Sequence, residues 1–304
     1  MADKSNPRFG EYSLLVLLSI LWGASFSLIK VAVVDYPPAT LVAIRMLVGG
    51  VLLTILAVSR GLAFPRSARR WLDLFIQGIL QSALPFSLIS WGEQHVPSAL
   101  AGVLNSTVPM FVFVISVFVL KRAPFSAMKL LGVLLGLAGV VVMTGSSGIG
   151  QISAMQVLAV VAVMGASASY ASGAIFGHRF DDQPAIITAS GSLLCGSAVM
   201  VALSLSIDHP WERVLGWHAT WAMLVLSVLS TALASVIFFR LIKTLGSLAT
   251  TSNAYLRALF SVLFGVVFLS EPFKWGIVVA TLLILAGVSL VTGQVRLGGQ
   301  PARA

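Results

Sequence analysis

The sequence predicts an all-α integral membrane protein with ten transmembrane helices, arranged as two inverted five-helix repeats. Three observations predict it. Of 304 residues, 58% are apolar and only 10% charged, and a mean hydropathy of +1.00 on a soluble domain would expose large apolar surfaces. Apolar runs long enough to cross a hydrocarbon core of about 30 Å recur along the whole chain. Residues 98–145, shifted by 148 positions, lie on residues 246–293 without a gap, and 15 of the 48 aligned positions are identical. An apolar alphabet inflates chance matches, but it does not favour polar and turn residues coinciding in one register. Asn105 meets Asn253, Pro124-Phe125 meets Pro272-Phe273, and Thr144-Gly145 meets Thr292-Gly293, which marks an internal repeat.

In chain order the predicted spans fall near 12–34, 38–58, 71–91, 98–120, 128–145, 154–177, 185–207, 218–240, 246–269 and 275–293. The first is read as an uncleaved span: its lead carries mixed charge (Asp3, Lys4, Arg8, Glu11) and no small-residue cleavage pattern follows. With the N-terminus inside, the inner segments hold fourteen Lys and Arg residues, among them Arg60, Arg66, Arg69, Arg70, Lys121, Arg122, Arg179 and Arg240, against Lys30, Arg213 and Lys274 outside. This asymmetry predicts a multi-pass protein of a bacterial-type cytoplasmic (inner) membrane with both termini cytoplasmic.

Five spans per half is an odd number, so the second half must sit upside down relative to the first. The expected division is a first repeat over 12–145, a second over 154–293, and cytoplasmic tails at 1–11 and 294–304. Reversed loop chemistry agrees: Lys121-Arg122-Ala123 before Pro124 becomes Leu269-Ser270-Glu271 before Pro272. Gly145-Ser146-Ser147-Gly148-Ile149-Gly150 reads as a flexible linker; as a phosphate loop it would need a preceding strand and a following GKS or GKT.

Several function classes drop out. The net charge of +9 follows alternate loops, which points to orientation in a bilayer and not to nucleic acid. Cys195 is the single cysteine, so no intrachain disulfide or cysteine metal cluster is expected. All four histidines (His95, His178, His209, His218) lie at span ends or in loops, so a serine such as Ser167 lacks a buried base and no enzyme is expected. Clustered metal ligands and a Walker motif are missing, so neither a metal, a cofactor nor ATP-driven pumping is expected of this chain.

The Leu21-Trp22-Gly23-Ala24-Ser25-Phe26 opening with Lys30 ending the span, the span-two arginine in Ala43-Ile44-Arg45-Met46, and the run Trp91-Gly92-Glu93-Gln94-His95-Val96-Pro97-Ser98 resemble the EamA branch of the drug/metabolite transporter superfamily. Asn105 to Pro109 followed by Met110-Phe111, Leu137-Ala138-Gly139-Val140, and Leu269-Ser270-Glu271-Pro272 resemble it too, over about residues 14–293. The resemblance implies a ten-helix carrier of two inverted repeats around a central cavity, usually exporting small metabolites, amino acids or drugs. Two positions depart from the family pattern: Lys121-Arg122-Ala123 where a glutamate is common, and Arg257 where the second repeat often has proline.

Span nine places Thr250, Asn253, Arg257 and Ser261 at spacings of three and four, one polar stripe on an apolar helix. Span four mirrors it with Gly102, Asn105, Pro109 and Ser116. Buried amides in hydrocarbon either bridge helices or line a wet cavity, and repeat symmetry favours the cavity for Asn105 and Asn253. Trp22, its repeat partner Tyr170, Trp91 and Tyr255 are aromatics at or near the presumed cavity walls. Trp22 and Tyr255 sit deeper and suit an apolar part of a substrate or core packing, whereas the interfacial belt suits Trp91, Trp71, Trp217, Trp221 and Trp275. Arg45 either snorkels outward, pairs with Glu93 or Asp35, or attracts substrate. Arg257 lies too deep to snorkel, with the neutral residues Asn105, Asn253, Tyr255 and Gln81 as helpers, and a planar guanidinium suits a carboxylate. Gly132, Gly136 and Gly139 read as close helix packing.

The expected function is a secondary transporter moving a small organic solute, an amino acid or other organic acid or a drug, outward by alternating access. An importer or exchanger of the same fold and a non-transporting scaffold or receptor are the alternatives. No Asp or Glu occupies the middle of a span, which leaves Glu93, His95 or facilitated diffusion for coupling. Partners are a small-molecule substrate and the lipid bilayer, and a homodimer is one assembly the sequence permits.

Overall fold

The structure is a computed structural model that describes residues 7–121, 125–146, 153–212, 216–251, 253–272 and 275–292. It is all-helical among these residues. Eight helical runs are long and apolar enough to cross a membrane, and two shorter apolar helices, with stretches Ala127–Val142 and Trp275–Val291, accompany them. In chain order these are α1 (Pro7–Ala32), α2 (Pro38–Ser59), α3 (Ala68–Gly92), α4 (Ser98–Val119), α5 (Ala127–Ser146), α6 (Ala154–Phe176), α7 (Ala185–Asp208), α8 (Trp217–Ser247), α9 (Ala249–Leu269) and α10 (Trp275–Thr292). The expected cytoplasmic tails 1–11 and 294–304 fall mostly outside the described residues, as do most of the Gly145 to Gly150 linker, Lys4, Arg122, Pro124, Arg213, Phe273 and Lys274.

Helix starts follow local chemistry. Pro38 stands in the first turn of α2, where the missing N–H costs nothing. Pro97 and Pro184 precede α4 and α7. Ser153 and Gln156 form a reciprocal capping box at the start of α6. Gly246, at φ +83°, kinks the chain near the end of α8, ahead of α9, in a conformation that a side chain would strain.

The expected uninterrupted spans are modified where proline and polar residues enter. In α3 the stretch Ile79–Ala83 is wound as a π turn, with the Leu84 N–H donating to the Ile79 carbonyl. Pro85 follows it directly, and a proline ring crowds the carbonyl four residues back while offering it no N–H. In α4 the helix breaks at Ser106 and Thr107, ahead of Pro109. A longer π stretch, Leu226–Leu233, lies in α8, and α9 resumes at Ala254 after Asn253. Span eight also stays helical further than its apolar pattern suggested, to Leu245, where Gly246 breaks it.

Helix pairing is specific. α5 packs on α10 and α2 on α7; α1 packs on α9 and α8, α6 on α4 and α3, α3 on α7 and α2 on α8. Small residues permit the closest approaches: a methyl on Gly132 would overlap the Gly287 carbonyl, and one on Gly139 would meet the Ala280 carbonyl at 2.9 Å. One end of the bundle gathers Glu11 with Arg240 at 2.8 Å, Asp73 with Arg179 at 3.3 Å, and Arg70 with Asp182. The opposite end holds Glu271 accepting from the Ser98 and Ala99 N–H groups at 2.8 and 3.1 Å, and Asp208 accepting from Thr40. The basic segments around Arg70, Arg179 and Arg240, predicted to share one side, therefore meet at one end.

Candidate substrate site

Midway between these ends, α1, α2, α3, α4, α6, α8 and α9 converge on a closed polar space. One lobe is lined by Trp22, Ser25, Arg45, Phe86, Asn105, Tyr170 and Arg257, and a second by Trp22, Gln81, Tyr170, Phe238, Asn253 and Arg257. Each lobe encloses about 10 Å³, room for about one water. In this conformation the site is shut.

The breaks in the helices are what make it polar. Pro109 leaves the Asn105 carbonyl without its usual N–H donor, and the Arg257 Nη2 donates to that carbonyl at 3.0 Å. Asn105 sends its side-chain amide to Ser167 Oγ at 3.1 Å. At the other half the Asn253 carbonyl accepts from Ser19 Oγ at 3.2 Å. The π turns release further carbonyls: Trp22 donates its indole N–H to Ser230 O at 3.2 Å, and Ser169 Oγ donates to Leu80 O at 2.7 Å.

Both arginines face this space. Arg45 is 1% exposed, lies 3.7 Å from the Phe86 ring centroid and donates through Nε to Thr231 Oγ1 at 3.0 Å. It turns inward and does not snorkel, and among the described residues it is in ion-pair contact with neither Glu93 nor Asp35. The Arg257 guanidinium sits 5.5 Å from the Trp22 ring. Arg45 Nη1 and Arg257 Nε are buried without a hydrogen-bond partner. A guanidinium stacked on an aromatic face keeps its in-plane donors directed at whatever enters.

Of the residues singled out from the sequence, Trp22, Arg45, Gln81, Asn105, Asn253 and Arg257 are brought together here. Trp91 and Tyr255 are not: Trp91 packs edge-on to His95 at 5.0 Å, and Tyr255 packs part-buried against the core. Phe86, Phe238 and Thr231 complete the site without having been singled out. Pro85 was the available signal for the first, since it follows the π turn of α3 at that level, whereas Phe238 and Thr231 sit in an apolar helix with no distinguishing pattern. Tyr170 bridges the two lobes, with its ring 6.3 Å from both Trp22 and Phe86.

A second, open space lies at the Glu271 end. It measures about 460 Å³ and is lined by Lys30, Val31, Val34, Asp35, His218, Ala219, Leu269 and Glu271. That volume falls in the range of small-molecule pockets, and Ile29, which borders the closed cavity, is followed by Lys30, which borders this vestibule.

The family model described as EamA-like transporter family matches twice, over residues 10–145 and 157–293. Uncharacterized transporter YvbV of Bacillus subtilis is 29% identical, covering 95% of this chain and 93% of its own. Uncharacterized inner membrane transporter YedA of Escherichia coli K12 is 27% identical over 85% of this chain and 82% of its own. A probable terminal-alkyne amino-acid exporter of Streptantibioticus cattleyicolor is 26% identical over 91% of both. A protein of known crystal structure superposes with a TM-score of 0.64 at 18% identity, covering 91% of this chain and 99% of its own, a likeness of fold.

Proposed function

This chain belongs to the EamA-like transporter family, and from that premise we propose that it exports a small organic acid or amino acid by alternating access. The observation that carries the reading is the pair Arg45 and Arg257, both buried and lining one closed cavity, with no carboxylate in ion-pair contact among the described residues. Charge at that depth is costly unless compensated. The candidate helpers are neutral, so an incoming anion is the group that neutralises the site, with Asn105, Asn253 and Gln81 as polar neighbours and Trp22 and Tyr170 for an apolar portion.

In this reading the ten helical runs all cross the bilayer and form two inverted repeats, 12–145 and 154–293. The twofold family match supports it. So does the helix packing, which maps onto itself when α1 to α5 exchange with α6 to α10: α1 on α9 becomes α6 on α4, and α3 on α7 becomes α8 on α2. The ionic end faces the cytoplasm by the excess of Lys and Arg, the vestibule opens outside, and the closed cavity is the occluded stage between. Export accords with the amino-acid exporter among the relatives.

The test is flux in proteoliposomes loaded with radiolabelled amino acids, other organic acids or cationic dyes. Saturable movement of an acid or amino acid, and none of the dyes, is expected. Movement of cations only, or no solute flux at all, would overturn the reading in favour of another substrate class or of a scaffold.

A further inference from the structure

One carboxyl is not absorbed by the substrate site. Glu93, in the turn after α3, is fully buried, and neither of its carboxylate oxygens has a hydrogen-bond partner. Its backbone carbonyl accepts from Lys30 Nζ, which also donates to the Val96 carbonyl at 3.0 Å. An ionised carboxylate removed from water and left without donors is so costly that the group neutralises instead.

Its position is as informative as its burial. Phe86 and Ile89 of α3 border the closed cavity, and Glu93 follows them by seven and four residues, on the same helical face. Lys30, bonded to the Glu93 backbone, borders the vestibule. Glu93 therefore stands between the two spaces, one turn on from cavity-lining Ile89 and bonded through its backbone to vestibule-lining Lys30. The charged groups facing it are Lys30 from α1, Arg45 from α2 and Glu271 from the turn after α9. Tyr170 is the one titratable residue of α6, α4 has none, and His95 of the same turn packs on Trp91. Burial holds the Glu93 carboxyl well above the usual carboxylate range; Lys30 pulls it down, Glu271 pushes it up, and Arg45 pulls it down.

We propose that Glu93 is the proton-binding site of the carrier, taking up one proton as the vestibule end seals and returning it to vestibule water when that end opens. On sealing, a hydronium ion of the vestibule water gives its proton to Glu93 Oε and is left as water; on opening, the Oε–H bond breaks toward a water molecule, and the carboxylate left behind is hydrated beside Lys30. This rests on the reading of the chain as a carrier, since a scaffold has no vestibule to open. The sign follows from linkage: the sealed state binds the extra proton, so acid favours sealing and rising pH favours opening, by at most about tenfold per pH unit for one proton.

Two measurements test it without any solute, so its failure is distinct from a failure of the transport reading. Infrared spectroscopy of the wild-type protein at neutral pH is expected to show a protonated-carboxyl stretch that Glu93→Gln removes. Absence of the band in the wild type, or its persistence in Glu93→Gln, overturns the proposal. In a Cys195→Ser background, labelling of Ile29→Cys, normalised to the exposed site Val34→Cys, is expected to rise with pH. Glu93→Gln is expected to slow it several-fold and make it independent of pH, and Glu93→Asp to keep the dependence with a moved midpoint. The wild-type pH profile persisting unchanged in Glu93→Gln overturns the proposal, and should that variant not fold, the wild-type band and the Glu93→Asp profile decide.

Discussion

Arg257 serves the carbonyls of two asparagines 148 positions apart: its backbone N–H donates to Asn253 at 2.9 Å, and its Nη2 donates to Asn105 at 3.0 Å. The asymmetry has a sequence cause. Pro109 aligns with Arg257, and having no N–H it cannot give the Asn105 carbonyl the bond that Arg257 gives to Asn253. The side chain on one helix replaces a backbone donor missing from another. Arg257→Ala should then cost about 1–3 kcal/mol of stability, the range for an unsatisfied buried acceptor, and Pro109→Ala should recover part of it by restoring a backbone donor. Thermal denaturation of the single and double variants measures the coupling; strict additivity would mean that the contact contributes nothing.

Arg45 is held by its ring and by Thr231. Arg45→Lys keeps the charge but loses the planar stack on Phe86 and the fixed Nε donor. The KM for an anionic solute should rise about tenfold, equivalent to about 1.4 kcal/mol, with Thr231→Val producing a smaller change in the same direction. A wild-type KM in the lysine variant would show that charge alone suffices.

Packing of α5 on α10 depends on the absence of side chains where the backbones meet. Gly132→Leu should destabilise by at least about 1–3 kcal/mol, the usual scale of overpacking, because its Cβ would overlap the Gly287 carbonyl. Gly10→Ala, with nothing within 4 Å of the added methyl, should be nearly neutral. Comparison of their melting temperatures in detergent checks the contrast.

Inverted repeats require that Lys121 and Glu271, which occupy turns before the proline-phenylalanine pair in each half, face opposite sides of the membrane. Single cysteines at these positions in a Cys195→Ser background, treated with an impermeant thiol reagent, should label from opposite sides. Labelling of both from one side would end the inverted arrangement.

Much of the site was legible because polar residues in an apolar alphabet carry information. Asn105, Asn253 and Arg257 stood out for that reason, and the structure brings them to one cavity. Arg45 was ambiguous in the sequence because its depth allowed snorkelling, and only the inward ring of Phe86 and the hydroxyl of Thr231 decide its direction. Tyr255 looked equally deep but stands two residues from both Asn253 and Arg257, roughly 200° round a helix. Residues 79–83 and 226–233 gave no periodic sign of π winding, since one extra residue per turn shifts a face without altering apolar content. Pro85 and Pro109 did carry the information, through the carbonyls they leave unpaired.

If Arg257 meets the anionic group of a transported solute, initial-rate transport of an amino acid or organic acid by wild-type and Arg257→Ala protein in the same liposomes will differ sharply. Monodisperse, folded protein of equal reconstitution must be shown for each. Arg257→Ala is expected to lose at least about two orders of magnitude in kcat/KM, corresponding to about 2.7 kcal/mol, with partial recovery in Arg257→Lys. Wild-type affinity and rate in the alanine variant would contradict it and turn the search to cationic or neutral solutes.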